Sequence, residues 1–347
     1  MTLLGVDTPI VLGPFGGMSS VALTAAVSTA GGLGSYGLYG YSPDRIVQTA
    51  ELLRAATDRP FALNLWIPTP DELSASDVDV TAALATAAPL YARLGIDPPT
   101  GTPTHPDIEE QFAAVLDARP AVASFVFGMP GPDVVDRFRA AGIRLVGAAT
   151  TVAEAIAVER AGADAVVASG FEAGGHRVSF LRPADRSLVG TFALVPQVVD
   201  AVDIPVIAAG GIADRRGVAA AFALGAAAVQ VGTAFLRTRE SAASDAHRAA
   251  LGAIAADGTV LTRAATGRLA RGIPNLFIET IEAGAIAPYP AQSWVVGAVR
   301  AEANRIGDGD LQSLWAGQGA PLARVDHAAD VFDELAHGIP HARNLEP

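Results

Sequence analysis

Short runs of consecutive apolar residues recur along the chain. Each is followed by a stretch in which apolar positions return every three or four residues. The runs fall at 9–13, 32–37, 61–66, 124–128, 144–149, 165–170, 205–210 and 228–235. A continuous apolar run bounded by Gly, Pro or polar residues predicts a strand buried on both faces. The intervening stretches 19–30, 43–56, 108–119, 132–141, 151–161 and 213–224 carry the helical period, and several open on a capping side chain, among them Ser19, Thr151 and Asp214. Strands alternating with helices pair in parallel through right-handed crossovers, and eight of them close a barrel. An open doubly wound sheet is the alternative, but it places a Gly-rich phosphate loop after its first strand. Here that strand runs into Gly13-Pro14-Phe15-Gly16-Gly17-Met18, which does not have the G-x-G-x-x-G spacing. The predicted fold is therefore α/β, a (β/α)8 TIM barrel.

Two segments break the rhythm. Residues 68–106 are proline-rich and hold no clean strand, and from about 238 the alternation gives way to helical segments interrupted by Gly and Pro, as in Gly272-Ile273-Pro274-Asn275. Long segments of this kind often build the lid of a site. The expected division is a barrel from 1–67 and 107–237, with 68–106 and 238–347 forming a smaller, mostly helical cap domain over one mouth.

Composition narrows the function. With 347 residues, half of them hydrophobic, the chain can bury a large core. A formal net charge of −12 disfavours nucleic acid or an anionic membrane as partner. The absence of cysteine removes disulfides, thiolate metal sites, iron–sulfur clusters and a Cys nucleophile. No long apolar run suggests a membrane span or a signal segment, so the expected location is the cytoplasm.

In a barrel of this kind, chemistry belongs to the loops that follow the strands. The seventh strand runs into Gly210-Gly211 and the eighth into Gln230-Val231-Gly232-Thr233. Paired glycines leave N–H groups open and Thr233 adds a hydroxyl, a combination suited to phosphate, although Gly210-Gly211 alone would also serve as a tight turn. After the sixth strand comes Ser169-Gly170-Phe171-Glu172-Ala173-Gly174-Gly175-His176. His176 follows two glycines at a strand end and is the candidate general base; His105, His247, His327, His337 and His341 read as solvated or core histidines. Glu172 is open to two readings, a group that orients the imidazole or ligates something, or a solvated loop carboxylate. No second ligand stands at metal spacing beside His176, so no metal is expected. Asn64, inside the apolar run of the third strand, needs a polar partner, either a ring edge with alternating donors and acceptors or neighbouring backbone. Phe15, Gly16 and Gly17 end the first strand, where small residues let a flat ring approach the backbone.

Taken in order, these motifs resemble those of the nitronate monooxygenase family, formerly 2-nitropropane dioxygenases. The resemblance runs over nearly the whole chain. It rests on Pro14-Phe15-Gly16-Gly17, Asn64, Glu172-Ala173-Gly174-Gly175-His176, Ala209-Gly210-Gly211-Ile212 and Gln230-Val231-Gly232-Thr233, with Gly267-Arg268-Leu269-Ala270-Arg271-Gly272 and Leu314-Trp315-Ala316-Gly317-Gln318-Gly319-Ala320 further on. It implies a cytoplasmic flavoprotein with non-covalent FMN, held by Phe15, Gly16, Gly17, Asn64, Ser169, Gly174, Gly175, Gly210, Gly211, Gln230, Val231, Gly232 and Thr233. It further implies His176 as the base taking the α-proton of a nitroalkane or steadying a nitronate. Oxidation by O2 would then yield a carbonyl compound and nitrite without NAD(P)H, in a monomer or homodimer. The chain departs from the family at three places: Phe15 where Met is common, Ser169 where Gln is common, and Thr150-Thr151 where many members carry Lys. Two other functions fit the same elements: an NAD(P)H-dependent FMN reductase of quinones or enoyl thioesters, and a flavin-free barrel for a phosphate ligand.

Overall fold

The computed structural model describes residues 3–69, 72, 77–101 and 106–340. His105 and His341 lie outside the described residues. Eight parallel strands appear where the apolar runs predicted them: β1 (Ile10–Leu12), β2 (Gly34–Gly37), β3 (Phe61–Trp66), β4 (Val122–Val126), β5 (Arg144–Ala149), β6 (Ala165–Ser169), and, after the short β7 (Gly175–His176), β8 (Val206–Ala209) and β9 (Ala228–Val231). Their order is β1-β9-β8-β6-β5-β4-β3-β2, and a parallel bridge between Val11 and Leu33 closes the ring into a TIM barrel. The last predicted run was too long: Thr233–Leu236 is a helical turn, not strand.

Small side chains explain how the ring closes. Val11, Leu33, Ala62, Val122, Val146, Ala148, Ala165, Val167, Ile207, Ala209 and Ala228 fill the barrel, and Leu4 and Val6 from the N-terminus join this cluster. Seven helices lie against the outside: α1 (Val21–Thr29), α2 (Pro43–Ala56), and, after α3 (Thr81–Leu94) in the insertion, α4 (Ile108–Ala118), α5 (Pro132–Ala140), α6 (Val152–Arg160) and α7 (Thr191–Val199); α8 (Arg215–Ala223) completes the set before the α9 turn (Thr233–Leu236). Thr151 and Asp214 cap α6 and α8 as predicted, each accepting amide N–H groups of the first turn. Ser19 does not cap. Ser20 does, and the Ser19 hydroxyl donates to Phe15 O (2.9 Å) and accepts the Gly37 amide (3.0 Å), tying the first loop to β2.

The rest of the chain adds α10 (Asp245–Ala253), β10 (Val260–Thr262), β11 (Ala270–Gly272), α11 (Leu276–Glu282), α12 (Ala291–Val295), α13 (Gly297–Ile306) and α14 (Ala328–Ala336). The expectation of helical segments alone past 238 is corrected here. β10 and β11 are antiparallel, and β11 also pairs with β7, so that Ala270 sits opposite His176 and Arg271 opposite Gly175. Helix α3 packs its Ala83, Ala87, Leu90 and Tyr91 into one apolar cluster with residues of α11, α12 and α13. Helix α14 packs elsewhere, placing Val331, Phe332 and Leu335 in the cluster shared by α1, β1 and α8.

Candidate active site

A pocket opens at the C-terminal ends of the strands, the end where chemistry is expected in this fold. It offers about 1380 Å³ of free space, part of it open to solvent.

Of the residues singled out from sequence, Phe15, Gly16, Asn64, Ser169, Gly174, Gly175, His176, Gly210, Gly211, Gln230, Gly232 and Thr233 all line this pocket. Gly17 and Val231 do not. Val231 is fully buried in the packing between barrel and helices, since alternate residues of a strand face opposite sides. Gly17 is exposed at a turn with φ +75°. Thr150 is not among the lining residues either. It is buried, and its amide and hydroxyl donate to the carboxylate of Glu154, each at 2.7 Å.

One wall is a cradle of glycines. Gly210 and Gly211 both have positive φ, +108° and +73°, the region that favours glycine. A Cβ on Gly174 would lie 2.6 Å from the Gly317 nitrogen, and one on Gly319 would lie 2.7 Å from the Gly211 carbonyl oxygen. The late segment Gly317-Gln318-Gly319 is thus pressed onto both the sixth-strand and the seventh-strand loops, and the Gln318 amide donates to Glu172 O at 2.9 Å. Thr233 Oγ1 accepts the Gly317 amide at 2.9 Å, which leaves its own proton for a ligand.

The other wall holds His176. Strand pairing fixes its backbone to β11, and its Nε2 lies 2.8 Å from Thr266 Oγ1. The indoles of Trp66 and Trp315 flank its ring, with centroids at 4.9 and 5.2 Å. Burial, then the guanidinium groups of Arg268 and Arg300, push its pKa down to about 3, so the imidazole is neutral at ordinary pH. Arg268 lies between the rings of Phe127 and Tyr289, 3.8 and 3.9 Å from their centroids, and pairs with Glu72 of the insertion. Tyr39, Trp66, Thr266, Arg300 and Trp315 complete this wall.

Of the two readings of Glu172, neither describes its partners. Its carboxylate accepts the amide and the hydroxyl of Thr191 at the start of α7, at 2.9 and 2.8 Å. Thr266 stands at the imidazole instead. Asn64 donates its side-chain amide to Ser124 Oγ and O at 3.0 and 3.2 Å, so neighbouring groups supply part of what its burial demands. Among the remaining histidines, His247 is buried and bonded to Trp315 O, whereas His327 and His337 lie at the surface. Thr266 and Arg300 escaped the sequence reading. Thr266 stands one residue before the noted Gly267-Arg268 motif, and Arg300 is a single cation in a helix, with no local pattern to mark it.

Comparison with known proteins gives a consistent picture. A family model described as Nitronate monooxygenase matches residues 1–338. A "Probable nitronate monooxygenase" of Staphylococcus aureus (strain Newman) is 39% identical over 344 residues, covering 97% of this chain and 96% of the relative. Among solved structures, a nitroalkane oxidase from Streptomyces ansochromogenes is 40% identical with a TM-score of 0.88, over 96% of this chain and 95% of that one. FabK from Thermotoga maritima is 30% identical with a TM-score of 0.73, over 96% and 92%. Among the described residues, no helix is long and apolar enough to cross a membrane.

Proposed function

The chain belongs to the nitronate monooxygenase family of oxidoreductases, and from that premise we propose that it binds FMN and uses O2 to oxidise alkyl nitronates to a carbonyl compound and nitrite, with neutral nitroalkanes as a second and slower substrate. The observation that carries this reading is one pocket lined both by a glycine cradle and by His176, whose Nε2 lies 2.8 Å from Thr266 Oγ1.

The residues present fit the cofactor. Gly210, Gly211, Gly232 and Thr233 form a phosphate cradle in which a Cβ at Gly210 would meet Thr191 Oγ1 at 2.7 Å. Phe15, Gly16, Asn64, Ser169, Gly174, Gly175 and Gln230 are placed to contact the rest of the molecule. When bound, the flavin would supply one-electron transfer between an organic anion and O2. The protein's part is to hold the substrate beside His176, in a pocket that Trp66 and Trp315 also line, and to manage its proton. A neutral His176 can accept the α-proton of a nitroalkane, and the ion pair then formed with the nitronate favours the transfer. Its low basicity favours substrates that arrive already deprotonated.

In this reading the barrel comprises 1–67 and 107–237, and 68–106 with 238–347 form the domain that covers the flavin, except that Ala328–Ala336 is counted with the barrel on which it packs. We place the enzyme in the cytoplasm as a monomer or homodimer acting on small molecules.

The test is an anaerobic absorbance titration of the purified protein. A yellow protein bleached by propane-2-nitronate and untouched by NADH or NADPH is expected. Bleaching by a pyridine nucleotide with the nitronate inert would overturn the proposal in favour of a quinone or enoyl thioester reductase. A colourless protein that takes up no FMN would point to the flavin-free barrel.

A further inference from the structure

Four guanidinium groups lie at or beside the pocket, and they differ in what neutralises them. Arg271, paired in the sheet with Gly175, donates to Phe171 O (3.0 Å) and feels the carboxylate of Glu172. Arg177 donates to the carbonyls of Gly170 (2.7 Å) and Ser169 (2.9 Å) and feels the carboxylates of Glu172 and Glu154. Arg268 is paired with Glu72. Arg300, on α13, lines the pocket, and no carboxylate among the described residues pairs with it. Its hydrogen bond is a long one from Nη1 to Ala265 O, 3.5 Å, and its Nε is buried without a partner among the described residues.

A half-buried guanidinium whose Nε is shut off from solvent and which lacks a counter-charge is costly, and it cannot escape by losing its proton. Its fork of donors matches a planar anion with two oxygens. Its partner Ala265 adjoins Thr266, whose hydroxyl meets His176 Nε2, and Tyr39, Thr266, His176 and Arg300 all line the pocket, so Arg300 stands on the His176 side of it. His176, being neutral, offers an anion no full charge.

We infer that Arg300 is the anion-binding residue of this site, taking the two oxygens of the nitronate group and thereby selecting the charged nitronate over the neutral nitroalkane. This rests on the substrate reading above. It assigns the two walls separate tasks: the glycine cradle holds the cofactor's phosphate, and Arg300 holds the substrate's charge.

Isothermal titration of the purified protein with isobutyrate and isobutyramide tests this without turnover. The first is a redox-inert anion with two oxygens spaced much as in a nitronate, and the second is its uncharged analogue. The wild type should bind isobutyrate at least tenfold more tightly than the amide. Arg300→Met should lose at least tenfold in isobutyrate affinity with the amide unchanged, and Arg300→Lys should fall between, keeping the charge but not the fork. Equal binding of the two ligands by the wild type overturns the inference without any variant. So does no isobutyrate binding at millimolar concentration, or an Arg300→Met protein that binds it undiminished. Arg300-dependent carboxylate binding in a protein that leaves nitronates untouched would uphold the anion site and remove the proposed activity.

Discussion

At the scale of single residues, the side chains around His176 decide what it can do. Thr266 is the hydrogen-bonding partner of its Nε2, and the indoles of Trp66 and Trp315 pack against the ring. If His176 acts as the proposed base, Thr266→Val should lower kcat/KM for a neutral nitroalkane by about tenfold to a hundredfold, within the range attributed to general base catalysis. The variant should affect a preformed nitronate much less, and Thr266→Ser should restore most of the loss. A uniform loss on both substrates in steady-state assays would reduce Thr266 to a packing role. Protonation also has a stability side. His247 is 2% exposed, and burial lowers its pKa from 6.5 to about 4. A folded pKa below the unfolded one means that the unfolded chain binds the extra proton, so stability falls as pH drops through the window from 6.5 to about 4. The change for this one group is of order 3 kcal/mol, and His176 acts in the same direction. Urea melts at pH 7 and pH 4.5 should show the loss, and His247→Gln should shrink it.

Among the elements, the loops after the strands behave as a bonded set. Glu154, fully buried on α6, accepts the Thr150 amide and hydroxyl with one oxygen and the amides of Phe180 (2.7 Å) and Leu181 (3.1 Å) with the other, fixing the stretch just beyond His176. Glu154→Gln exchanges an acceptor pair for one acceptor and one donor, and should cost about 2 kcal/mol in a urea melt. Gly174→Ala would drive a Cβ into Ala316 and Gly317, forcing two loops apart. A loss of about 1–3 kcal/mol is expected, together with a fall in bound flavin measured by absorbance. The eight barrel strands were legible in the sequence because strands buried on both faces must be apolar without interruption, as Val206–Ala209 illustrates. The glycine loops were legible because backbone approach leaves glycine as its trace. Strands β7, β10 and β11 were not, since two or three residues cannot display a period of two. Arg300 and Thr266 stayed hidden for a related reason: their roles come from meeting residues 39 and 176 across the fold, and one polar residue in a helix or turn carries no pattern.

Across the whole molecule, the segments that interrupt the strand–helix alternation are tied to one another. The insertion helix α3 and helices α11 to α13 share one apolar cluster, and the Glu72–Arg268 pair links the insertion to the segment that carries Thr266. Glu72→Gln would leave the Arg268 guanidinium between Phe127 and Tyr289 without its counter-charge. The expected result is a raised KM for the nitronate with kcat changed less, as Arg268 loses the partner that fixes it; an unchanged KM would free this pair from any part in substrate binding.

The pairing of β7 with β11 has a consequence for how such a protein can change over generations. The residue proposed to do the chemistry grows from the barrel, yet its backbone partner, Ala270, and its side-chain partner, Thr266, lie about ninety positions later, in the segment with β10 and β11. A chimaera that took its barrel loops from one parent and its last hundred residues from another would inherit a histidine without its setting. The histidine and the segment that sets it therefore form one heritable block, and recombination that splits them should be found far less often among active descendants than recombination between α1 and β4.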